Sequence, residues 1–343
     1  MSADTLIQLT ENGLYCAAGD FYVDPWRPVA RAVVTHAHAD HARPGSGSYL
    51  ATADGAAVFR TRLGADAQIQ TAAYGEAVTI NGVRVSLHPA GHILGSAQVR
   101  VERGGEVWAI SGDYKIGADT TCAPFEPVRC HTFVTESTFG LPIYRWRAQA
   151  EVFDEINAWW RANQLAGKAS MLFAYALGKA QRLLAGVDPA IGPIFTHGAV
   201  ERLNRDYRAS SVALPATTYA ADHKADWSQA LIVAPPSAQG TPWMRRFGNL
   251  STGFASGWMQ LRGTRRRKAV DRGFALSDHA DWPGLLDAIR ATGAERVWVT
   301  HGYSAVLARW LHDQGFDTAT VATHFEGEPD DAGSDEGDVE EQP

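Results

Sequence analysis

THAHADH, residues 35–41, sets His36, His38, Asp40 and His41 within seven positions of a 343-residue chain that has twelve histidines in all. A loop of solvated histidines is the plainer reading, but chance explains such a cluster poorly. The apolar run Ala32-Val33-Val34 before it reads as a strand that carries the loop out of a sheet edge. In an extended loop, His36 and His38 lie on one side and can share a cation. Asp40 and His41 then face the other way and can hold a second. Imidazole nitrogen and carboxylate oxygen suit zinc and similar divalent ions. One loop cannot complete two coordination shells, so further ligands must arrive from elsewhere.

Working outward, the candidates follow apolar, β-like runs: His92 in AGHILGSA, Asp113 in ISGDYK, His279 in LSDHAD and His301 in VTHGY. His88 rivals His92 but lies inside a strand pattern, where it reads as structural or supporting. His131, His197, His223, His312 and His324 have no such setting and read as solvated or core histidines. Residues 14–34 read as short strands with a turn at Gly19-Asp20. Val83, Val85 and Leu87 alternate as in a half-buried strand, as do Val99 and Val101, and Val107 to Ile110 is another apolar run. Residues 145–166 have helical periodicity. After them, apolar runs alternate with helix-like stretches, which predicts βα units around a parallel sheet. Beyond residue 273 the order is strand, loop, helix, strand, loop, helix. No internal repeat is visible.

Hydrophobic content of 45% and charged content of 20% are those of a soluble globular enzyme. No stretch is apolar for long enough to span a membrane, and the N-terminus does not read as a signal peptide. Cys16, Cys122 and Cys130 lack zinc-site spacing and suit a reducing, cytoplasmic setting. The net charge of −7 conceals two biases. Residues 326–343 hold nine acidic residues and no Lys or Arg, so the rest of the chain carries −7 + 9 = +2. That tail reads as disordered and solubilising. Residues 243–272 are basic, with Arg245, Arg246, Arg262, Arg265, Arg266, Arg267, Lys268 and Arg272 against Asp271 alone. Trp243, Phe247, Phe254 and Trp258 are interleaved. Such a segment either neutralises phosphates and stacks on bases, or is a solvated basic loop with its rings in the core.

The motif, followed by Gly-His92, Gly-Asp113 and a strand-end His301, resembles the metallo-β-lactamase fold. TESTFG with Glu136, LSDHAD with His279 and VTHGY with His301 resemble the three extra motifs of the β-CASP nucleases within that fold. FAYALGKAQRLL resembles part of their inserted domain. About 140 residues separate Glu136 from His279, where that subgroup carries its insert. AGHILGSAQVRVE, SGDYK and GWMQLRGTRRRKAVDRGFALSDHADW are most similar to the bacterial DNA-ligase-associated exonucleases.

The resemblance implies an α/β fold, a metallo-β-lactamase αββα sandwich with an inserted smaller α/β (β-CASP-like) domain. It would comprise residues 1–140 and 271–325, with the insert at 141–270 and the acidic tail at 326–343. It implies two divalent cations, zinc or manganese. His36, His38, His92 and Asp113 would hold the first; Asp40, His41, Asp113 and His301 the second. Asp40, His279 and Glu136 would be catalytic. His279 would protonate the leaving 3′-oxygen, and Glu136 would orient it. Asp24 would support the metal loop, with Asp20 as its rival. Arg262, Arg265, Arg266, Arg267 and Lys268 would bind substrate.

The implied activity is hydrolysis of DNA by an exonuclease, working from the 5′ end in repair with an ATP-dependent DNA ligase and a helicase as partners. His301 departs from the valine of many DNA-specific members. This keeps an RNA-processing nuclease as the alternative. A catalytically inactive nucleic-acid-binding subunit is a third reading, which the complete set of ligand types disfavours.

Overall fold

The computed structural model describes residues 5–222, 226–261, 263, 266 and 268–321. Arg262, Arg265, Arg267, His223, His324 and the acidic tail lie outside them. The described residues form three sheets. The first runs in chain order through β1 (Gln8–Thr10), β2 (Gly13–Cys16), β3 (Phe21–Val23), β4 (Ala32–Val33), β5 (Tyr49–Thr52) and β6 (Ile69–Ala72). The second contains β7 (Ala77–Ile80), β8 (Val83–Pro89), β9 (Ala97–Arg103), β10 (Glu106–Ile110), β11 (Thr132–Glu136), β18 (Arg296–Thr300) and β19 (Asp317–Thr320), ordered β19-β18-β11-β10-β9-β8-β7. The third is parallel throughout: β12 (Ala169–Phe173), β13 (Ile194–Thr196), β14 (Thr218–Tyr219), β15 (Leu231–Ala234), β16 (Leu250–Ala255) and β17 (Arg272–Phe274), ordered β14-β13-β15-β12-β16-β17.

The first two sheets pack face to face. Phe21, Val23, Val33 and Leu50 meet Val83, Val85, Val99 and Trp108 in one buried cluster. A strand buried on one face alternates, and Val83, Val85 and Leu87 do so toward this core. Helices α5 (Trp282–Thr292) and α6 (Ser304–Asp313) cover the far side of the second sheet through Leu285, Ile289, Leu307 and Leu311. Across the far side of the first sheet lie α1 (Ala56–Leu63) and the helices of the third sheet, α2 (Gln149–Leu165), α3 (Lys179–Gly186) and α4 (Gly198–Ala209). This stacking puts the ends of β4, β10, β11 and β18 at one edge, beside the loops that follow β12 and β17.

Two glycines let the chain turn at that edge. Gly91 has φ +74°, and a Cβ there would lie 2.3 Å from the Lys115 carbonyl oxygen. Gly112, at φ +55°, passes so close to Thr35 that a Cβ would meet its side chain at 2.6 Å. Each sits one residue before a site residue, His92 or Asp113. Gly91→Ala should therefore cost about 1–3 kcal/mol from backbone strain, with collision against the Lys115 carbonyl adding to it. A lowered urea midpoint at unchanged m-value would show this, and an unmoved midpoint would refute the strain.

Candidate metal centre

The THAHADH loop is not extended. It turns back at His38, whose carbonyl accepts from the N–H groups of His41 (3.1 Å) and Ala42 (2.8 Å). The turn brings the His36 and His41 rings within 4.0 Å, centroid to centroid. The expected grouping of His36 with His38, apart from Asp40 and His41, is kept, but a turn and not an extended loop produces it.

Four donor atoms converge from three segments. His38 Nδ1 lies 3.1 Å from His36 Nε2 and 3.1 Å from His92 Nε2. Asp113 Oδ2 lies 3.5 Å from His36 Nε2 and 3.8 Å from His92 Nε2. All four fall within 4.8 Å of one another. Tetrahedral ligands about 2.0–2.1 Å from a zinc ion stand about 3.3 Å apart, so the spacing fits a cation. On the other side of Asp113, its Oδ2 is 3.5 Å from His41 Nε2, which is 3.6 Å from Asp40 Oδ2. His41 Nε2 is buried and has no hydrogen-bond partner among the described residues. An orphaned buried imidazole nitrogen between two carboxylates is what a second cation would satisfy. The His301 ring stands 5.4 Å from that of His41. Ser137 holds it there: its hydroxyl donates to the His301 carbonyl, and its own carbonyl accepts from Tyr303 N–H at 2.9 Å.

The outward nitrogen of each loop imidazole also has a partner. His36 Nδ1 contacts Thr35 Oγ1 at 3.0 Å, His38 Nε2 the Leu177 carbonyl at 3.2 Å, and His92 Nδ1 the Asp278 carbonyl at 2.8 Å. His41 Nδ1 meets Asp24 Oδ2 at 2.7 Å. A carbonyl or carboxylate can only accept, so protons sit on the outward nitrogens of His38, His41 and His92, and the lone pairs of neutral His38 and His92 point inward. Asp24, at φ +45°, also accepts from Thr35 N–H (2.8 Å) and Oγ1 (2.6 Å). Asp20 instead accepts from Tyr15 Oη at 2.9 Å. His88 contacts Ser86 Oγ at 3.0 Å.

Burial, then neighbouring imidazoles, push His36 well below the usual histidine range and His38 and His92 to about 4. Burial also opposes charge on His41, but Asp40, Asp113 and Asp24 outweigh it and raise that ring well above the usual range. Neutral His36, His38 and His92 are the ligand form at neutral pH.

Glu136 and His279 meet next to this cluster. His279 Nδ1 lies 3.0 and 2.9 Å from the two Glu136 oxygens, and Tyr114 N–H donates to Oε1 at 2.8 Å. Glu136 is fully buried and His279 3% exposed. The His279 ring is 4.7 Å from that of His92. In the basic segment, Arg266 is exposed and Lys268 Nζ lies 5.3 Å over the Phe254 ring. Phe247 and Phe254 are buried in the core of the third sheet, so these two rings cannot stack on bases. Three partners escaped sequence reasoning. They are the Leu177 and Asp278 carbonyls and the Tyr114 amide, and backbone groups leave no residue-type signal.

The fold has a counterpart among solved structures. A protein of unknown function from Enterococcus faecalis V583 matches with a TM-score of 0.57 at 10% identity, over 87% of this chain and 80% of that one. No family model matches the chain. In sequence it is 30% identical over 312 residues to a probable DNA ligase of Opitutus terrae, which takes in 90% of this chain and 30% of that protein. It is 28% identical over 123 residues to Endoribonuclease YSH1 of Saccharomyces cerevisiae, 35% of this chain and 16% of that one. The chain thus spans less than a third of the length of either relative.

The depressed histidines carry a consequence for the metal-free protein. In the unfolded chain they protonate near pH 6.5, whereas in the fold His38 and His92 resist until about pH 4. Their folded values are lowered, so stability present above pH 6.5 is lost as the pH falls toward 4. The raised His41 makes its full contribution only below pH 6.5, so within the lower range it does not alter that slope. Melting temperatures taken with chelator at pH 6, 5 and 4 should fall steadily. A flat series would show that these rings are not held neutral by burial.

Proposed function

We propose that this chain is a metal-dependent nuclease of the metallo-β-lactamase fold and β-CASP subgroup that hydrolyses DNA phosphodiester bonds as an exonuclease. The observation that carries the reading is Asp113 Oδ2, 3.5 Å from both His36 Nε2 and His41 Nε2, a single oxygen between two groups of ligands. In this reading residues 1–140 and 271–325 form the αββα sandwich and 141–270 the insert. His36, His38, His92 and Asp113 would hold one cation; Asp40, His41, Asp113 and His301 would hold the other, with zinc the expected ion and manganese its substitute. Two such cations, when bound, would supply a polarised water and charge for the phosphate oxygens. The chain does the rest. Asp113 and Asp40 bring negative charge to the shared position. Glu136 holds His279 by Nδ1, so the ring can deliver a proton from its other edge to the departing 3′-oxygen. The basic residues Arg262, Arg265, Arg266, Arg267 and Lys268 grip the phosphate backbone.

DNA is favoured over RNA by the relative that covers most of this chain, whose name is that of a DNA ligase. The proposal extends to a cytoplasmic role in DNA repair beside an ATP-dependent ligase and a helicase, of which the ligase-named relative supports only the link to a ligase. A second reading, an RNA-processing nuclease, is favoured by the similarity to YSH1 and by His301. Matched DNA and RNA strands bearing each 5′-end chemistry decide between them. The expected result is stepwise loss of nucleotides from the DNA 5′ end; preferential RNA cleavage establishes the second reading.

Replacing His36 and His38 together with Ala should abolish cleavage while strand binding persists, and near-normal turnover in that variant would remove the metal mechanism. Changing Arg265, Arg266 and Arg267 to Ala should weaken DNA binding and flatten its dependence on salt. An unchanged salt slope would exclude them from the phosphate contacts.

A further inference from the structure

Two motifs, FAYALGKAQRLL and LSDHAD, contain buried charges that the reaction above does not use. Lys179 is fully buried, and its Nζ lies 3.5 Å from Asp278 Oδ2. Arg182 Nη1 lies 3.0 Å from Asp278 Oδ1 and also donates to the Ser277 carbonyl. Arg182 Nε is 3.2 Å from Asp119 Oδ2, which is 3.5 Å from Lys115 Nζ. Burying five ionised groups costs several kcal/mol per ion before pairing, and apolar side chains would hold two surfaces together as well. What such a network does supply is fixed position.

The position it fixes is that of two metal ligands. Asp278, clamped by Lys179 and Arg182, presents the carbonyl that orients His92. Leu177, just before α3, presents the carbonyl that orients His38. Gly178 presses against the His92 loop, where a Cβ would come within 2.2 Å of Ile93 Cγ2. Lys115 follows Asp113 by two residues, and its N–H donates to the Ala90 carbonyl at 3.0 Å, next to the His92 loop. His36 and His41 draw nothing from this side, for their outward nitrogens rest on Thr35 and Asp24 beside the first sheet. The two ligand groups are therefore supported unequally.

Resting on the metal reading above, we propose that the segment Leu177–Arg182 and its clamp on Asp278 are a structural part of the first cation site and not of the second. Occupancy of the His36, His38, His92 and Asp113 site depends on docking of that segment. Lys179, Arg182 and Asp278 are positioning residues that act through His92.

The test is titration of the full-length, metal-stripped protein with zinc alone, in competition with a chromophoric chelator. Wild type should take up two equivalents. In Asp278→Asn and Lys179→Met, one equivalent should keep its affinity and the other weaken by about 10–100-fold, as is usual for lost supporting partners. The melting-temperature rise on adding zinc should shrink accordingly. The control is Thr61→Val. It removes the 2.6 Å hydrogen bond from Thr61 Oγ1 to Asp206 Oδ2, which ties α1 to α4 and involves neither a ligand nor the Asp278 clamp. It should lower the melting temperature and leave both affinities unchanged.

Where circular dichroism shows that Lys179→Met does not fold, Arg182→Lys decides on the same criterion. Two equivalents bound normally by the folded variants, equal weakening of both, or the same loss in Thr61→Val overturns the inference. A wild-type chain that binds no zinc overturns the metal reading with it. Normal zinc uptake without nucleic-acid cleavage overturns the nuclease reading alone.

Discussion

Four imidazoles and a carboxylate meet at one edge of this molecule with donor atoms 3.1–3.8 Å apart and little access to water. Packed lone pairs of this kind repel unless positive charge lies among them. Metal-free, the structure supplies that charge on His41, whose ring is driven toward the charged form by Asp40, Asp113 and Asp24. A cation would do the same with a better geometric match, since its ligands need separations of about this size. Much of the surrounding architecture serves to hold these rings still. Asp24 accepts a positive φ to reach Thr35 and His41, and Gly91 and Gly112 let two loops pass closer than any side chain would allow.

The candidate ligands were legible because metal chemistry restricts residue type. His36, His38, His92, Asp113 and His301 stand out as His or Asp at the ends of apolar runs, where strands deliver them to a common edge. What orients them was hidden, because the Leu177 and Asp278 carbonyls could belong to any residue. They are also distant in the chain, 139 residues from His38 and 186 from His92. The basic stretch was legible only in part. Its aromatics were correctly noticed, yet spacing cannot tell a ring that completes a core from one that faces a ligand. Burial assigns Phe247 and Phe254 to the core. Local folding was similarly uneven. The strand and the motif after it were readable, but the turn at His38 was not, because it rests on backbone hydrogen bonds alone.

The parallel sheet of residues 169–274 does more than extend the fold. It sends Leu177 from the end of β12 and Asp278 and His279 from the loop after β17 into the same edge as the histidines. His279 then pairs with Glu136, the last residue of β11 in a different sheet. Any relative movement of these sheets would separate His279 from Glu136 and loosen His38 and His92 together.

The His279–Glu136 pair and the cluster of His36, His38, His92 and Asp113 are therefore mechanically joined. An ion network suits such a joint better than an apolar one. Apolar contact is non-directional and tolerates sliding, whereas the planar Arg182 fork, held by Asp278 on one edge and by Gln149 and Asp119 on the other, is directional. The free energy lost to desolvating these five charges is offset by their pairing, and the net product is alignment rather than stability. A site whose chemistry depends on donors placed to within a fraction of an ångström has more use for alignment.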